Sequence, residues 1–239
     1  MWPKAGPARF QERQSVIREI EWQVCLEAIA ARAPGRFLDV GCGNAFHLWK
    51  ARKLGFEVTG VDPVPGRRGV AFGKLEDWNI VLGSAEELPF DDGSFDVVFS
   101  SHSLEHFADR QQGLREMRRV LQSKGLAVIT VPTGTMALIN TLNHMLFATH
   151  ARLLKKLLGE PTIRWRHVFL PHAHGSRCRY ALAETRDFRV DAWRQRIGEV
   201  FRIVDVRRGP LYPYPDFPQW FPRMKLERYS SSVSFLCTR

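Results

Sequence analysis

Hydrophobic and polar residues repeat along this chain with two different periods, and the changes of period mark its elements. Short apolar runs bounded by Gly, Pro or Asp predict strands, and apolar positions three or four residues apart predict helices. Strands alternating with helices indicate an α/β fold with a parallel sheet and right-handed crossovers. The predicted strands are 36–41, 56–62, 79–83, 95–101, 125–131, 200–207 and 231–237, and the predicted helices are 9–32, 45–54, 109–121, 136–158 and 187–198.

The turn after the first predicted strand contains two glycines in the sequence FLDVGCGNA, residues 37–45. Gly41 and Gly43 carry no Cβ, so the backbone can approach a ligand closely there. The second predicted strand ends in Asp62, at the place where nucleotide-binding α/β folds hold a pair of ribose hydroxyls. The spacing predicts a cofactor pocket, and therefore an enzyme.

The glycine spacing restricts which cofactor this pocket can hold. A dinucleotide fingerprint, G-x-G-x-x-G, would place a third glycine at position 46, where this chain has Phe46. A P-loop, G-x-x-x-x-G-K-[ST], is absent from the sequence. A nucleoside without a pyrophosphate remains, and S-adenosylmethionine fits that description.

Four blocks of sequence resemble, in order and spacing, the class I S-adenosylmethionine-dependent methyltransferases, in particular the type-11 methyltransferase domain family. The likeness covers roughly residues 36–132. It implies a Rossmann-like, doubly wound sheet of seven strands, mostly parallel with an antiparallel last strand. The blocks are residues 37–45, GSAEELPF at 83–90, SFDVVFSSHSLEH at 94–106 and RVLQSKGLAVITVP at 119–132.

The same resemblance divides the chain and assigns its cofactor contacts. Asp39 is expected to contact the methionine portion, Asp62 the ribose, and the backbone of Ala85 the adenine. Ser84 stands where the family often has Asp. The predicted units are an N-terminal helical cap, 1–35, and a methyltransferase domain, 36–239, with substrate-side insertions at 133–183 and 209–230. The predicted cofactor-binding residues are Asp39, Val40, Gly41, Cys42, Gly43, Asp62, Pro63, Ser84, Ala85, Glu86, Ser101 and His102.

Methyl transfer requires the acceptor to be positioned and, for a hydroxyl, to lose a proton. His106 is the first candidate for the base, because the resembling family places a Glu-His pair here and an imidazole titrates near neutral pH. Glu105 and His102 are further catalytic candidates. The alternatives are that His106 only bonds to its own turn and that His102 only lines the cofactor pocket.

Three histidines in the C-terminal third follow the pattern H-x₄-H-x-H, which is not a common zinc motif, so we expect no metal site. Arginines lie on both sides of them in the sequence and favour an anionic acceptor. The histidines are His167, His172 and His174, and the arginines are Arg164, Arg166, Arg177 and Arg179.

Charge separates the two parts of the chain. Residues 1–149 carry 17 Lys and Arg against 17 Asp and Glu, whereas residues 150–239 carry 18 against 8. The basic part indicates an anionic substrate, membrane surface or nucleic acid, unless it is only a solvated surface. Four cysteines without a C-x-x-C pair, no signal-like start and no long apolar run are typical of a cytoplasmic protein.

These observations predict O-methylation of a small or sugar-like acceptor, and the basic residues favour one with an anionic group. The alternatives are a tRNA- or protein-modifying methyltransferase and a non-catalytic protein that binds S-adenosylmethionine. Methylation of a nucleobase amine is disfavoured, because that class has Asn/Asp-Pro-Pro-Tyr after the fourth strand and this chain has SHSL at 101–104. The Pro-aromatic segment 209–222 is a candidate lid, homodimer contact or peripheral membrane contact, and nucleic acid is the less favoured partner.

Overall fold

Seven strands form one sheet in this computed structural model, which describes residues 7–67, 69–161, 164–169, 171–212 and 229–239. The strand order is β3-β2-β1-β4-β5-β7-β6. Pairing is parallel from β3 to β5, and β7 is antiparallel to both β5 and β6. The predicted seven-stranded sheet with a reversed last strand is therefore confirmed. The strands are β1 Arg36–Val40, β2 Glu57–Asp62, β3 Ile80–Leu82, β4 Phe95–Ser101, β5 Leu121–Pro132, β6 Arg202–Arg208 and β7 Ser232–Thr238.

Helices and short turns connect these strands. Two 3₁₀ turns, Leu75–Asp77 and Leu104–His106, precede β3 and follow β4, and a π-helical turn covers His144–Ala148. Among the described residues, no helix combines the length and the apolar character that crossing a bilayer requires. The α-helices are α1 Pro7–Ala30, α2 Phe46–Lys53, α3 Arg110–Val120, α4 Gly134–Asn143, α5 Thr149–Leu157, α6 Arg166–Phe169, α7 Ala181–Asp187 and α8 Val190–Gly198.

Apolar side chains are buried on both faces of the sheet. On one face, Trp22 of α1 packs against Phe37 and Phe99, with ring centroids 6.2 and 5.7 Å away. On the other face, Leu114 of α3 and Trp193 of α8 belong to a separate buried cluster. The strands are apolar along most of their length because both faces are covered.

Two predicted helix boundaries differ from the structure. The predicted helix 109–121 ends at Val120, and β5 begins at once, because Leu121 has an extended backbone with φ −76° and ψ 135°. The predicted helix 136–158 is interrupted by the π-helical turn, where the hydrogen-bonding period changes.

Apolar residues three or four apart form a stripe along the predicted helix 136–158, and most of this stripe faces outward. The buried face of α4 instead carries both apolar and polar side chains, among them Met136 and Asn140. Helical periodicity shows that apolar residues share a face but does not show what that face contacts. Of the Pro-aromatic segment, residues 213–228 lie outside the described part of the chain. The exposed members of the stripe are Leu138, Leu142, Met145, Leu146 and Leu157.

Candidate functional site

The backbone after β1 turns around two glycines. The amides of Gly41 and Cys42 donate to the carbonyl oxygen of Val61, at 2.8 and 3.2 Å, which ties the turn to β2. Gly41 has φ 79° and Gly43 has φ 50°, a region that other residues disfavour. A Cβ at Gly41 would collide with the hydroxyl of Ser103, whereas a Cβ at Gly43 would meet no described atom within 4 Å. Packing requires the first glycine, and the second borders open space in which a ligand can lie.

Asp62 closes this turn from the end of β2. One of its carboxylate oxygens accepts from the Gly43 amide at 2.9 Å, and the other accepts from the Val64 amide at 2.8 Å. A carboxylate offers about four acceptor positions, so these two bonds leave room for hydroxyl donors. The carboxylate is therefore fixed in place and still able to bind a ribose.

Asp39 lies deep beside the same turn, with its side chain buried. Neither of its oxygens accepts a hydrogen bond from the described residues. The Nδ1 atom of His47 lies 3.6 Å from Asp39 Oδ2. Burial lowers the pKa of His47, although Asp39 acts in the opposite direction, so this imidazole is neutral near pH 7. A buried carboxylate is costly without a partner, and Asp39 is suited to a cationic or hydroxyl group of a ligand.

The other predicted cofactor residues differ in the exposure of their side chains. The side chains of Val40 and Cys42 are buried in the core, so only their backbone can reach a ligand. Pro63 and Ser84 are exposed, while Ala85 and Ser101 are buried.

Glu86 links the predicted adenine block to the loop after β4. Its carboxylate accepts from the hydroxyl of Ser84 and from the amides of Ala108 and Asp109, the latter two at 2.8 and 3.3 Å. The side chain of Glu86 therefore acts as a tether between two loops of the site.

His102 directly follows β4 and has φ 50°, a left-handed conformation that non-glycine residues seldom adopt. Its Nε2 lies 2.9 Å from Glu21 Oε1, an oxygen that also accepts from Tyr212 Oη at 2.6 Å. Burial alone would lower the pKa of His102, but Glu21 and Glu105 outweigh burial and raise the pKa to about 10. This imidazole is therefore cationic near neutral pH.

Glu105 is fully buried at the centre of a group of imidazoles. Its Oε1 lies 3.3 Å from His174 Nε2, 3.7 Å from His102 Nδ1 and 3.9 Å from His106 Nε2. Burial would raise the pKa of Glu105, but His102 and His174 lower it well below its usual range. His106 is the accessible member of the group, with 47% of its side chain exposed.

The loop that carries His174 is held by a second buried carboxylate. Glu184 accepts from the amides of His174 and Gly175, at 2.9 and 2.6 Å. The carbonyl oxygen of Glu105 accepts from the Ser176 amide at 3.2 Å and from Arg110 Nη2 at 3.1 Å. These bonds join the loop to the 3₁₀ turn after β4.

Two histidines of the linear motif have side chains that the structure describes, and of these His174 joins this group and His172 does not. His172 is exposed, and the side chain of His167 lies outside what the structure describes. Arg177 and Arg179 are exposed on the same loop.

Sequence reasoning missed Glu21, Tyr212 and Glu184. A signal for Glu21 exists, because it stands in a row of α1 residues four apart whose other members, Ile17, Cys25 and Ile29, are apolar and buried. No comparable local signal marks Tyr212 or Glu184, whose partners are distant in the chain.

Comparison with known proteins identifies the central part of the chain. Residues 38–129 match the family model described as a methyltransferase domain. A demethylmenaquinone methyltransferase of Thermotoga maritima is 37% identical over 106 residues, which are 44% of this chain and 46% of that protein. A probable tocopherol O-methyltransferase of Oryza sativa is 35% identical over 129 residues, 50% of this chain and 35% of that protein.

The chain spans less than half the length of either relative. The similarity in fold extends beyond residues 38–129. A crystal structure of an S-adenosylmethionine-dependent methyltransferase from Thermotoga maritima superposes with a TM-score of 0.53 at 18% identity. That superposition covers 95% of this chain and 93% of the other. Residues 38–129 therefore resemble a methyltransferase domain, and the described chain shares the fold of a solved S-adenosylmethionine-dependent methyltransferase.

Proposed function

We propose that this protein transfers a methyl group from S-adenosylmethionine to an oxygen atom of a small-molecule acceptor. The observation that carries the proposal is that two features lie at one edge of the sheet. One is the turn at Gly41 and Gly43 with Asp39 and Asp62 beside it, called here the glycine cradle, and the other is the group of imidazoles and carboxylates around Glu105. Ligands of open α/β sheets bind outside the carboxyl ends of the strands, where both features lie. The cofactor contacts and the catalytic roles of individual residues are part of this proposal.

Within the proposal, the residues of the cradle hold the cofactor. Asp62 accepts the ribose hydroxyls, and the buried oxygens of Asp39 accept from the methionine portion. Gly43 leaves its open side to the ligand. The bound cofactor supplies an electrophilic methyl group, so the protein contributes mainly orientation, for which effective molarities of about 10⁵–10⁸ M are known.

The imidazoles then divide the proton chemistry. His102 is cationic near neutral pH and cannot accept a proton, so its part is to orient or to stabilise negative charge. His106 is half exposed and lies 3.9 Å from Glu105, so it is the imidazole placed to accept a proton from an acceptor hydroxyl. A general base contributes about 10²–10⁴-fold to a rate.

The acceptor side supports a small organic molecule with polar and apolar parts. Arg177 and Arg179 are exposed on the loop that carries His174 and suit an anionic group. Segment α4, which starts directly after β5, exposes leucines that suit a lipophilic group. The names of the relatives point to quinones and tocopherols, and a relative named a ubiquinone/menaquinone biosynthesis C-methyltransferase makes a carbon acceptor the second candidate.

The test uses S-adenosylmethionine with a deuterated methyl group and two acceptor panels, hydroxylated aromatics with quinols, and saccharides. Mass spectrometry detects the labelled product, and its fragments assign the methyl group to oxygen or carbon. We expect an O-methylated product, and we expect His106→Ala to lower turnover about 10²-fold without changing cofactor affinity. His150→Ala, an exposed histidine of α5, is the matched control.

Three outcomes would contradict parts of the proposal. Product methylated on carbon favours the second candidate. Cofactor binding without product in any panel favours a binding protein without activity. Unchanged turnover in His106→Ala leaves positioning as the mechanism.

A further inference from the structure

Three side chains that could bind a metal ion come together from three parts of the chain. His102 follows β4, Glu105 lies in the 3₁₀ turn after it, and His174 lies in the loop before α7. One ligand atom from each lies within 4.8 Å of the others. We propose that His102 Nδ1, Glu105 Oε1 and His174 Nε2 bind one divalent first-row metal ion of the zinc type.

Two of the three spacings between the donor atoms are close to those of a coordination shell, and the third is no longer than 4.8 Å. Glu105 Oε1 lies 3.3 Å from His174 Nε2 and 3.7 Å from His102 Nδ1. Good N–H···O bonds are shorter, about 2.9 Å. Zinc bonds of about 2.1 Å arranged as a tetrahedron place neighbouring ligands about 3.4 Å apart. Small movements of the side chains would complete the shell.

The carboxylate of Glu105 lies near imidazole nitrogens at ion-pair distances that are longer than those of good hydrogen bonds. It is fully buried, and neither carboxylate oxygen accepts a hydrogen bond from the described residues. A buried charge is stable only when it is paired or bound to a metal. Two imidazoles with one carboxylate are a ligand set that zinc uses in enzymes.

The surroundings fix the orientation of both histidines. A metal-binding imidazole commonly donates its other N–H to a carboxylate. His102 does so, because its Nε2 lies 2.9 Å from Glu21 Oε1, which leaves Nδ1 directed towards Glu105. The ion would take the place of the proton that Nδ1 carries in the ion-free protein, so binding releases one proton to solvent. The backbone of His174 is held by Glu184. Glu21 is buried as well, so a divalent ion would offset two interior negative charges.

An ion could reach the group and would keep a free position. The side chains of His102 and His174 retain 16% and 18% exposure. With three protein ligands, a fourth position is open to water or to an acceptor oxygen. Binding of the ion does not depend on the proposed methyl transfer. Only the suggestion that an acceptor oxygen occupies the fourth position rests on that proposed function.

The test is a titration of tag-free, chelator-treated full chain at pH 8 with Zn²⁺ by calorimetry and with Co²⁺ by absorption spectroscopy. We expect one equivalent of either ion to bind, with the intense visible bands of low-symmetry Co²⁺. His174→Ala and the isosteric Glu105→Gln should each weaken Zn²⁺ binding at least about 100-fold, since loss of an outer-shell partner alone costs about 10–100-fold. His172→Ala, two residues away on the same loop and outside the group, should bind like the parent chain.

Circular dichroism of each variant shows whether it is folded. If His174→Ala does not fold, Glu105→Gln still tests the inference. Absence of saturable Zn²⁺ binding in the parent chain would overturn the inference and leave an ion-pair network of protonated imidazoles. Equal weakening in His172→Ala, or parent-like binding in both ligand variants, would place the ion elsewhere and also overturn it. None of these readings depends on methyl transfer.

Discussion

The proposed cofactor side and the proposed acceptor side of this protein meet at one edge of the sheet but are built differently. On the cofactor side, residues 36–132, the turn is fixed by backbone bonds between neighbouring strands and the core beneath it is buried. On the acceptor side, residues 133–212, a basic surface and exposed leucines surround a loop fixed by buried carboxylates. The residues proposed to bind the cofactor are therefore positioned by contacts between neighbouring strands. Those proposed to face the acceptor are positioned by contacts between residues distant in sequence.

The largest contrast between the two sides is expected in stability. Leu114 is fully buried under the sheet, and Leu157 of α5 is 67% exposed. We expect Leu114→Ala to lower the free energy of unfolding by about 3 kcal/mol, because it leaves a cavity. We expect Leu157→Ala to change it by less than about 0.5 kcal/mol. Urea denaturation followed by circular dichroism measures both, and equal losses would show that α5 is packed as the core is.

A matched pair of glycines sharpens the account of the cradle. Gly43 and Gly55 both have positive φ, and a Cβ at either would meet no described atom within 4 Å. Alanine should therefore cost about 1 kcal/mol of folding stability at both positions. Only Gly43→Ala should weaken S-adenosylmethionine binding, by about 10-fold, because only that Cβ enters the ligand space. Parallel calorimetric titrations compare the two variants, and equal affinities would remove Gly43 from the site.

Thiol reactivity gives a further contrast and tests whether α1 stays packed on the sheet. Burial raises the pKa of Cys25 to about 11, which lowers its thiolate fraction at pH 8 about 100-fold relative to an ordinary thiol. Cys178, on the acceptor side, is only partly buried. We expect a disulfide reagent to modify Cys178 first and Cys25, Cys42 and Cys237 only after unfolding. Mass spectrometry of the modified peptides gives the order, and early modification of Cys25 would mean that α1 leaves the sheet.

Much of the fold and of the cofactor side could be predicted from sequence. The strand positions, the reversed β7, the glycine turn and Asp62 at the end of β2 all follow from local periodicity, glycine spacing and the family resemblance. Each depends on residues close in sequence or on strands that repeat a known order. The hydrogen bond from Gly43 to Asp62 joins two residues that the motif already paired.

The acceptor side could not be predicted in the same way. His174 meets Glu105 across 69 positions of sequence, and Tyr212 meets Glu21 across 191. No local pattern specifies such pairs. The H-x₄-H-x-H spacing drew attention to three histidines, but the geometry joins one of them to His102 instead. The outward face of α4 and α5 was also beyond reach, because periodicity does not indicate what a face contacts.

The most direct test of the central claim, that the glycine cradle and Asp62 hold S-adenosylmethionine, is a calorimetric titration of three proteins. They are the parent chain, Asp62→Ala and Glu57→Ala, the last an exposed carboxylate at the opposite end of the same strand. We expect the parent chain and Glu57→Ala to bind one equivalent with equal affinity. We expect Asp62→Ala to bind about 100-fold more weakly, because two charge-assisted hydrogen bonds are lost. Equal affinity of Asp62→Ala and the parent chain, or no binding by the parent chain, would contradict the account.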